Sequence, residues 1–188
     1  MNGYDYVQDV DNPHLGGNIM QGDSWTYSPN VWRYMIDRFA VTTVLDVGAG
    51  LGYAAHWFHK SGCQVVAMDG LPANVNMAKF PIVQHDITNG PFKCPVDLVH
   101  CQEVVEHIDE MYIHNLMDTL CNGRIIIMTH GEPGQLGHHH VNCQPGSYWV
   151  KKFDALGWSL LAEDTHRIRS IAAAEGANHM ARSGLVFG

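Results

Sequence analysis

The segment VLDVGAGLG at residues 44–52 constrains the fold more than any other part of this 188-residue chain. Val44, Leu45 and Val47 make a short apolar strand, and Gly48, Gly50 and Gly52 follow at alternate positions. Glycine permits turns and close backbone approaches that a Cβ forbids. The next run, YAAHWFHKSG, has helical spacing and stops at Gly62. Strand, glycine turn and helix in that order bring backbone N–H groups up to a nucleotide-like ligand. Asp46 lies inside the apolar run, where a lone carboxylate is costly unless something partners it.

The remaining chain repeats the alternation. Ser28-Pro29 predicts an N-cap and first turn for an amphipathic helix reaching Phe39. Strands are expected at 42–47, 64–68, 81–85, 96–101, 124–129, 158–162 and 184–187. Helices are expected at 52–61, 71–78, 104–120, 147–156 and 166–181, the last broken near Gly176. Residues 1–28 lack periodicity and read as an irregular arm. Residues 130–146 also lack it, and connections that long are uncommon unless they serve function or are disordered. Strands alternating with helices predict a doubly wound, mostly parallel α/β sheet in a single domain over 1–188. Ligands of such sheets bind beyond the carboxyl ends of the strands. That rule gathers Asp46–Gly52, Asp69, Asp86, Cys101–Glu103 and His130 on one rim.

Composition narrows the partners. A net charge of −8 gives no general attraction to phosphate backbones, so nucleic acid is disfavoured. No apolar run approaches the roughly 20 residues that span a bilayer, and the start MNGYDYVQDVDNPH has no signal-peptide pattern. A cytoplasmic chain without a membrane segment is expected. The five cysteines include no CxxC pair, so neither a disulfide framework nor a zinc knuckle is indicated.

The glycine loop reads GxGxG rather than the dinucleotide pattern GxGxxG, and no Lys-Ser or Lys-Thr follows to make a P-loop. Asp69 ends the following strand, where a carboxylate can accept hydrogen bonds from ribose hydroxyls. VLDVGAGLG, Asp69, HDI at 85–87 and DLVHCQEVVEHI at 97–108, in this order, resemble the successive motifs of class I S-adenosylmethionine-dependent methyltransferases of the small-molecule type. They cover roughly residues 42–130. The resemblance implies a Rossmann-like sheet of about seven strands, the last antiparallel, and S-adenosylmethionine as cofactor. It places Asp46, Gly48, Ala49, Gly50 and Gly52 against the methionine part of the donor. Asp69 and Gly70 would meet the ribose, Asp86 and Ile87 the adenine, and Gln102 and Glu103 the region of the sulfonium. It also implies a lid role for the arm, where Trp25 and Tyr27 offer flat surfaces. The short stretch between Asp86 and Val96 departs from the family, since the usual helix there has too little room.

Methyl transfer to a hydroxyl needs alignment of acceptor and donor and removal of a proton. Histidine is a natural base near neutral pH, and thirteen are present. His107, His130, His138, His139 and His140 are the candidates, with Glu103 beside them. In the HHH run at 138–140 alternate side chains diverge, so either His138 and His140 or His139 alone would enter a site. Magnesium prefers oxygen ligands, so no metal is assigned. The position after the fourth strand reads QEVVE, not the Pro-Pro-aromatic run of adenine-N6 enzymes, and Cys94 precedes Pro95 rather than following it as in cytosine-C5 enzymes. A small-molecule or carbohydrate hydroxyl is the expected acceptor, and a homodimer would add pocket wall. The alternatives are a nucleic-acid or protein methyltransferase, or a catalytically inactive adenosyl-ligand-binding module.

Overall fold

The computed structural model describes residues 6–188. An antiparallel hairpin pairs β1 (Tyr6–Gln8) with β2 (Gly16–Ile19) within the stretch expected to be irregular; residues 1–5 of that arm lie outside the described residues. The chain continues through α1 (Pro29–Phe39), β3 (Thr43–Val47), α2 (Tyr53–Lys60), β4 (Gln64–Asp69), α3 (Pro72–Met77), β5 (Ile82–Gln84) and β6 (Val96–Cys101). It ends with α4 (Ile113–Leu120), β7 (Gly123–Met128), α5 (Gly146–Asp154), α6 (Ala162–Glu175), α7 (Asn178–Ser183) and β8 (Leu185–Phe187).

The main sheet runs β5-β4-β3-β6-β7-β8, parallel except for antiparallel β8. Its strand order reverses between β3 and β6, which opens a crevice at their carboxyl ends. Alternate residues of β3, β6, β7 and β8 are largely buried on opposite faces, so these strands read as mainly apolar runs. Leu45, Val99 and Ile126 pack with Leu116 and Leu120 of α4 and Trp149 and Phe153 of α5. On the other face Val44, Leu98 and Ile127 pack with Trp32 of α1, Phe58 of α2, Ile168 of α6 and Met180 of α7.

Local contacts explain where the elements depart from the sequence periodicity. The main sheet has six strands, because residues 158–162 contribute a lone bridge between Leu160 and Phe187. Helix α6 already begins at Ala162, with Glu163 and Asp164 in its first turn, where acidic side chains suit the helix dipole. Ser28 precedes α1 but caps nothing with its hydroxyl. Instead the Glu175 carboxylate accepts from the N–H groups of Asn30 (3.1 Å) and Val31 (3.4 Å). The helix expected over 104–120 is split into single turns at Val105–His107 and Glu110–Tyr112 ahead of α4. Here the Glu106 carbonyl accepts from the N–H groups of Val141 and Asn142, and the Ile108 carbonyl from the Asn142 side chain. Carbonyls claimed by a distant loop cannot propagate a helix. Between Asp86 and Val96 a single turn, Ile87–Asn89, stands where a longer helix had no room.

Candidate active site

A cleft of about 1020 Å³ lies at the carboxyl ends of β3, β4 and β6, with arm residues from His14 to Tyr27 across it. Asp46, Gly48, Ala49, Gly50, Asp69 and Gly70 line it, as do Asp86, Ile87, Gln102, Glu103 and His107. Gly52 lies outside the lining and begins α2 in a left-handed conformation. Thus nearly all residues assigned to the donor converge on one cavity, although they come from four separate stretches of chain.

The glycine loop makes this possible. Gly48 and Gly50 have φ of +66° and +56°, a region that costs other residues about 1–2 kcal/mol. A side chain at Gly48 would also collide with Val104. In this turn the Gly50 N–H donates to Asp69 Oδ2 at 2.8 Å. The other Asp69 oxygen accepts from the Leu71 N–H (2.9 Å) and the Asn74 amide (3.1 Å). Burial raises the Asp69 carboxyl above its ordinary range against the pull of these donors. An ionised carboxylate offers about four acceptor positions, so one on Oδ2 remains for a ligand hydroxyl. Replacing Asp69 with alanine is expected to weaken S-adenosylhomocysteine binding by about 10- to 100-fold. Titration calorimetry would check it, and unchanged affinity would overturn the ribose assignment.

Asp86 caps its own turn by accepting from the Thr88 N–H and hydroxyl, both at 2.8 Å, while His14 of the arm lies 3.1 Å from its second oxygen. Burial raises its carboxyl, but the Thr88 and His14 contacts outweigh this and leave it below the ordinary value. Asn18 of β2 and Asn74 exchange two amide hydrogen bonds at 3.1 Å. The arm is therefore bonded to Asp86 directly and to Asp69 through Asn74.

Glu103 follows β6 in a left-handed conformation with φ of +55°, uncommon for a residue with a side chain and concentrated at functional sites. Its N–H donates to Thr129 Oγ1, and that hydroxyl donates back to Glu103 Oε1, each at 2.8 Å. Glu103 Oε2 lies 3.0 Å from His179 Nδ1, and His179 Nε2 lies 3.1 Å from Asp23 Oδ2 of the arm. Burial disfavours charge on His179, but the two carboxylates prevail and push it up to about 9. The same imidazolium holds Glu103 below the ordinary carboxylate range despite burial.

Behind Glu103 stands the least compensated group of the site. Glu106 is 0% exposed, and neither side-chain oxygen has a hydrogen-bond partner. Burial holds its carboxyl well above the usual range, and the Glu103 charge adds to the effect. Ligand atoms of Glu106, His107 and His140 lie within 4.8 Å of one another. His107 Nδ1 is also buried without a partner, and burial followed by His140 lowers this ring to about 4. His107 and His140 face the donor cleft. One carboxylate and two imidazoles would suit a divalent cation of the manganese or zinc type.

The three consecutive histidines are divided by a turn at His138 and His139. His138 and His140 line the cleft, whereas His139 has φ of +45° and turns towards His14, their ring centres 6.4 Å apart. His130 also misses the cleft. It is 3% exposed, its N–H donates to Ser183 Oγ at 3.3 Å, and its ring faces Gly146. Of the histidines considered as base from sequence, His107, His138 and His140 line the cavity, whereas His130 and His139 do not. Glu106, His179 and Asp23 were missed. For Glu106 the signal was present as a carboxylate three residues after Glu103, flanked by Val104 and Val105; for the other two, no local pattern exists.

The fold is that of an S-adenosylmethionine-dependent methyltransferase. A family model described as a methyltransferase domain matches residues 20–186, and the chain belongs to that family. Among curated proteins, the mitochondrial ubiquinone biosynthesis O-methyltransferase of Schizosaccharomyces pombe is 26% identical over 106 residues, covering 48% of this chain and 39% of that protein. Among solved structures, a methyltransferase from Archaeoglobus fulgidus superposes with a TM-score of 0.58 at 17% identity, covering 89% of this chain and 94% of that one. The magnesium protoporphyrin IX methyltransferase of Synechocystis PCC 6803, solved with S-adenosylmethionine bound, gives 0.54 at 16% identity over 70% and 66% of the two chains. At these identities the structural likenesses establish the fold. No helix among the described residues is long and apolar enough to cross a membrane.

Proposed function

We propose that the protein transfers the donor's methyl group to a hydroxyl of a small organic molecule, with Glu106, His107 and His140 holding a divalent cation beside the acceptor. The observation that carries this reading is the buried Glu106 carboxylate, unpartnered and grouped with two imidazoles on the wall of the donor cleft. A buried carboxyl whose oxygens have no hydrogen-bond partner carries an uncompensated desolvation cost, which a bound cation would relieve. The relative from Schizosaccharomyces pombe is described as an O-methyltransferase, which supports the choice of oxygen as acceptor atom.

In the reaction the acceptor oxygen attacks the donor's methyl carbon, the carbon–sulfur bond breaks, and the electron pair returns to sulfur as S-adenosylhomocysteine. The proton of the hydroxyl must leave. His138 Nε2 is buried without a partner and its ring lines the cleft, which suits it to accept that proton. When bound, the cation supplies positive charge that acidifies the hydroxyl. Trp25 and Tyr27, both about half exposed at the cleft mouth, provide flat apolar walls for the acceptor.

The test uses purified protein treated with EDTA and then titrated with Mn²⁺ by calorimetry. One cation per chain is expected to bind, with methylation of a hydroxyl-bearing test compound restored in parallel. A protein that binds no cation, or that keeps full activity in EDTA, would overturn the metal-assisted reading and leave the donor assignment untouched.

A further inference from the structure

Asp46 raises a question that the donor assignment alone does not answer. It is 2% exposed, yet it lines the donor cleft. Among the described residues no Lys or Arg pairs with it. Its oxygens are steadied by two neutral contacts: His100 Nδ1 lies 2.7 Å from Oδ1, and the Ala55 N–H donates to Oδ2 at 3.1 Å. His100 sits opposite Asp46 in the β3–β6 register and is 3% exposed.

The far side of that imidazole decides its state. Trp32 Nε1 lies 3.2 Å from His100 Nε2. An indole N–H can only donate, so Nε2 must present its lone pair and the ring's single proton must sit on Nδ1, facing Asp46. The indole packs edge-on to the ring, with centres 5.8 Å apart, and Phe58 closes another side at 5.7 Å. The ring is thus fixed in place, in tautomer and in orientation. It donates to the carboxylate without bringing a charge of its own, and among the described residues no Lys or Arg stands beside Asp46 to occupy the place of a ligand's cation.

We propose that His100 and Trp32 are positioning residues that hold Asp46 as the receptor for the donor's α-ammonium group. The inference rests on the donor cleft described above. It is independent of the metal cluster and of the acceptor. The glycine loop accounts for backbone approach to the ligand, whereas this buried chain accounts for recognition of its amino-acid end. Trp32 matters because it leaves the imidazole no room for a second proton, which would neutralise the charge that attracts the ammonium.

Two ligands separate this role from fold support. S-adenosylhomocysteine carries the ammonium, and 5′-methylthioadenosine keeps the adenosine and sulfur but lacks the amino-acid end. In calorimetry, H100F is expected to weaken S-adenosylhomocysteine by about tenfold or more, with 5′-methylthioadenosine changed by less than about twofold. H100N, whose amide N–H replaces that of Nδ1, should keep S-adenosylhomocysteine within about threefold of the wild type. W32F should weaken S-adenosylhomocysteine selectively, and the ¹⁵N spectrum of His100 should change from one tautomer to a mixture. Equal losses for both ligands, or no loss in either H100F or W32F, would overturn the proposal. If H100F does not fold, W32F decides by the same comparison. Wild-type protein that binds neither ligand would instead overturn the donor cleft, and this proposal with it.

Discussion

Glu106→Leu is expected to lower turnover on the order of 10²-fold while making the protein more stable. In the wild type this carboxyl is fully buried and its oxygens have no partner. Such a group costs about 1–3 kcal/mol of desolvation, and replacing an unsatisfied buried polar group with an apolar side chain of similar shape is often neutral or stabilising. An increase of about 1–2 kcal/mol, read as a Tm raised by a few degrees, is the expected result. The pH dependence has a definite sign. Glu106 has its folded value above the ordinary 4.5, so its contribution to stability is complete below about pH 4.5 and is lost as pH rises towards the folded value. The variant's advantage should therefore widen with increasing pH. Glu106→Gln should lose turnover as well, because an amide carries no charge to hold a cation. Denaturant titrations at several pH values, beside turnover assays, check all three statements. Variants that lose stability and keep turnover would make Glu106 a structural residue.

His179→Ala is expected to remove about 3 kcal/mol of charge-linked stability near pH 6, a contribution that is almost gone above pH 9.5. The imidazole is clamped between Asp23 and Glu103, with Trp25 5.8 Å away and Arg182 on the same helix. Its folded value of about 9 lies above the ordinary 6.5. A raised histidine contributes stability that is complete below about pH 6.5, falls as pH rises, and is gone beyond the folded value. Wild type should thus lose stability between pH 6.5 and 9, and the variant should show a flatter profile over that window. Asp23→Asn removes one of the two carboxylates and should move the midpoint of the decline to lower pH. Urea midpoints measured every half pH unit would reveal it. Parallel profiles for wild type and variant would mean that His179 is uncharged in the folded protein.

The parts of this molecule that follow from local pattern were legible in its sequence. The glycine turn, the buried strands and the carboxylates at strand ends depend on neighbours within a few residues, and the structure gathers Asp46, Asp69, Asp86 and Glu103 around one cleft. What could not be read depends on contacts between distant segments. The helix expected from Val104 is interrupted because Asn142 and Val141 take carbonyls from it. The α1 N-terminus is capped by Glu175 rather than by the adjacent Ser28. His130 ends β7 on the expected rim, but its ring turns back into the protein. His139 was the natural central choice in a run of three, yet the loop's left-handed turn sends His138 and His140 inward instead. Strand ends specify an address on the fold; side-chain direction at that address is a tertiary property.

The arm offers a different kind of consequence. Its polar ties run through His14 to Asp86, through Asn18 and Asn74 to Asp69, and through Asp23 and His179 to Glu103. These are the same carboxylates that the donor would contact. A segment bonded to the receptor groups of a ligand is coupled to that ligand by thermodynamic necessity: whatever factor the ligand applies to arm closure, arm closure returns to ligand affinity. With the donor held by these carboxylates as proposed, the arm would enter the binding equilibrium itself, as a competitor or an ally of the cofactor according to which of these bonds survive when the cleft is filled.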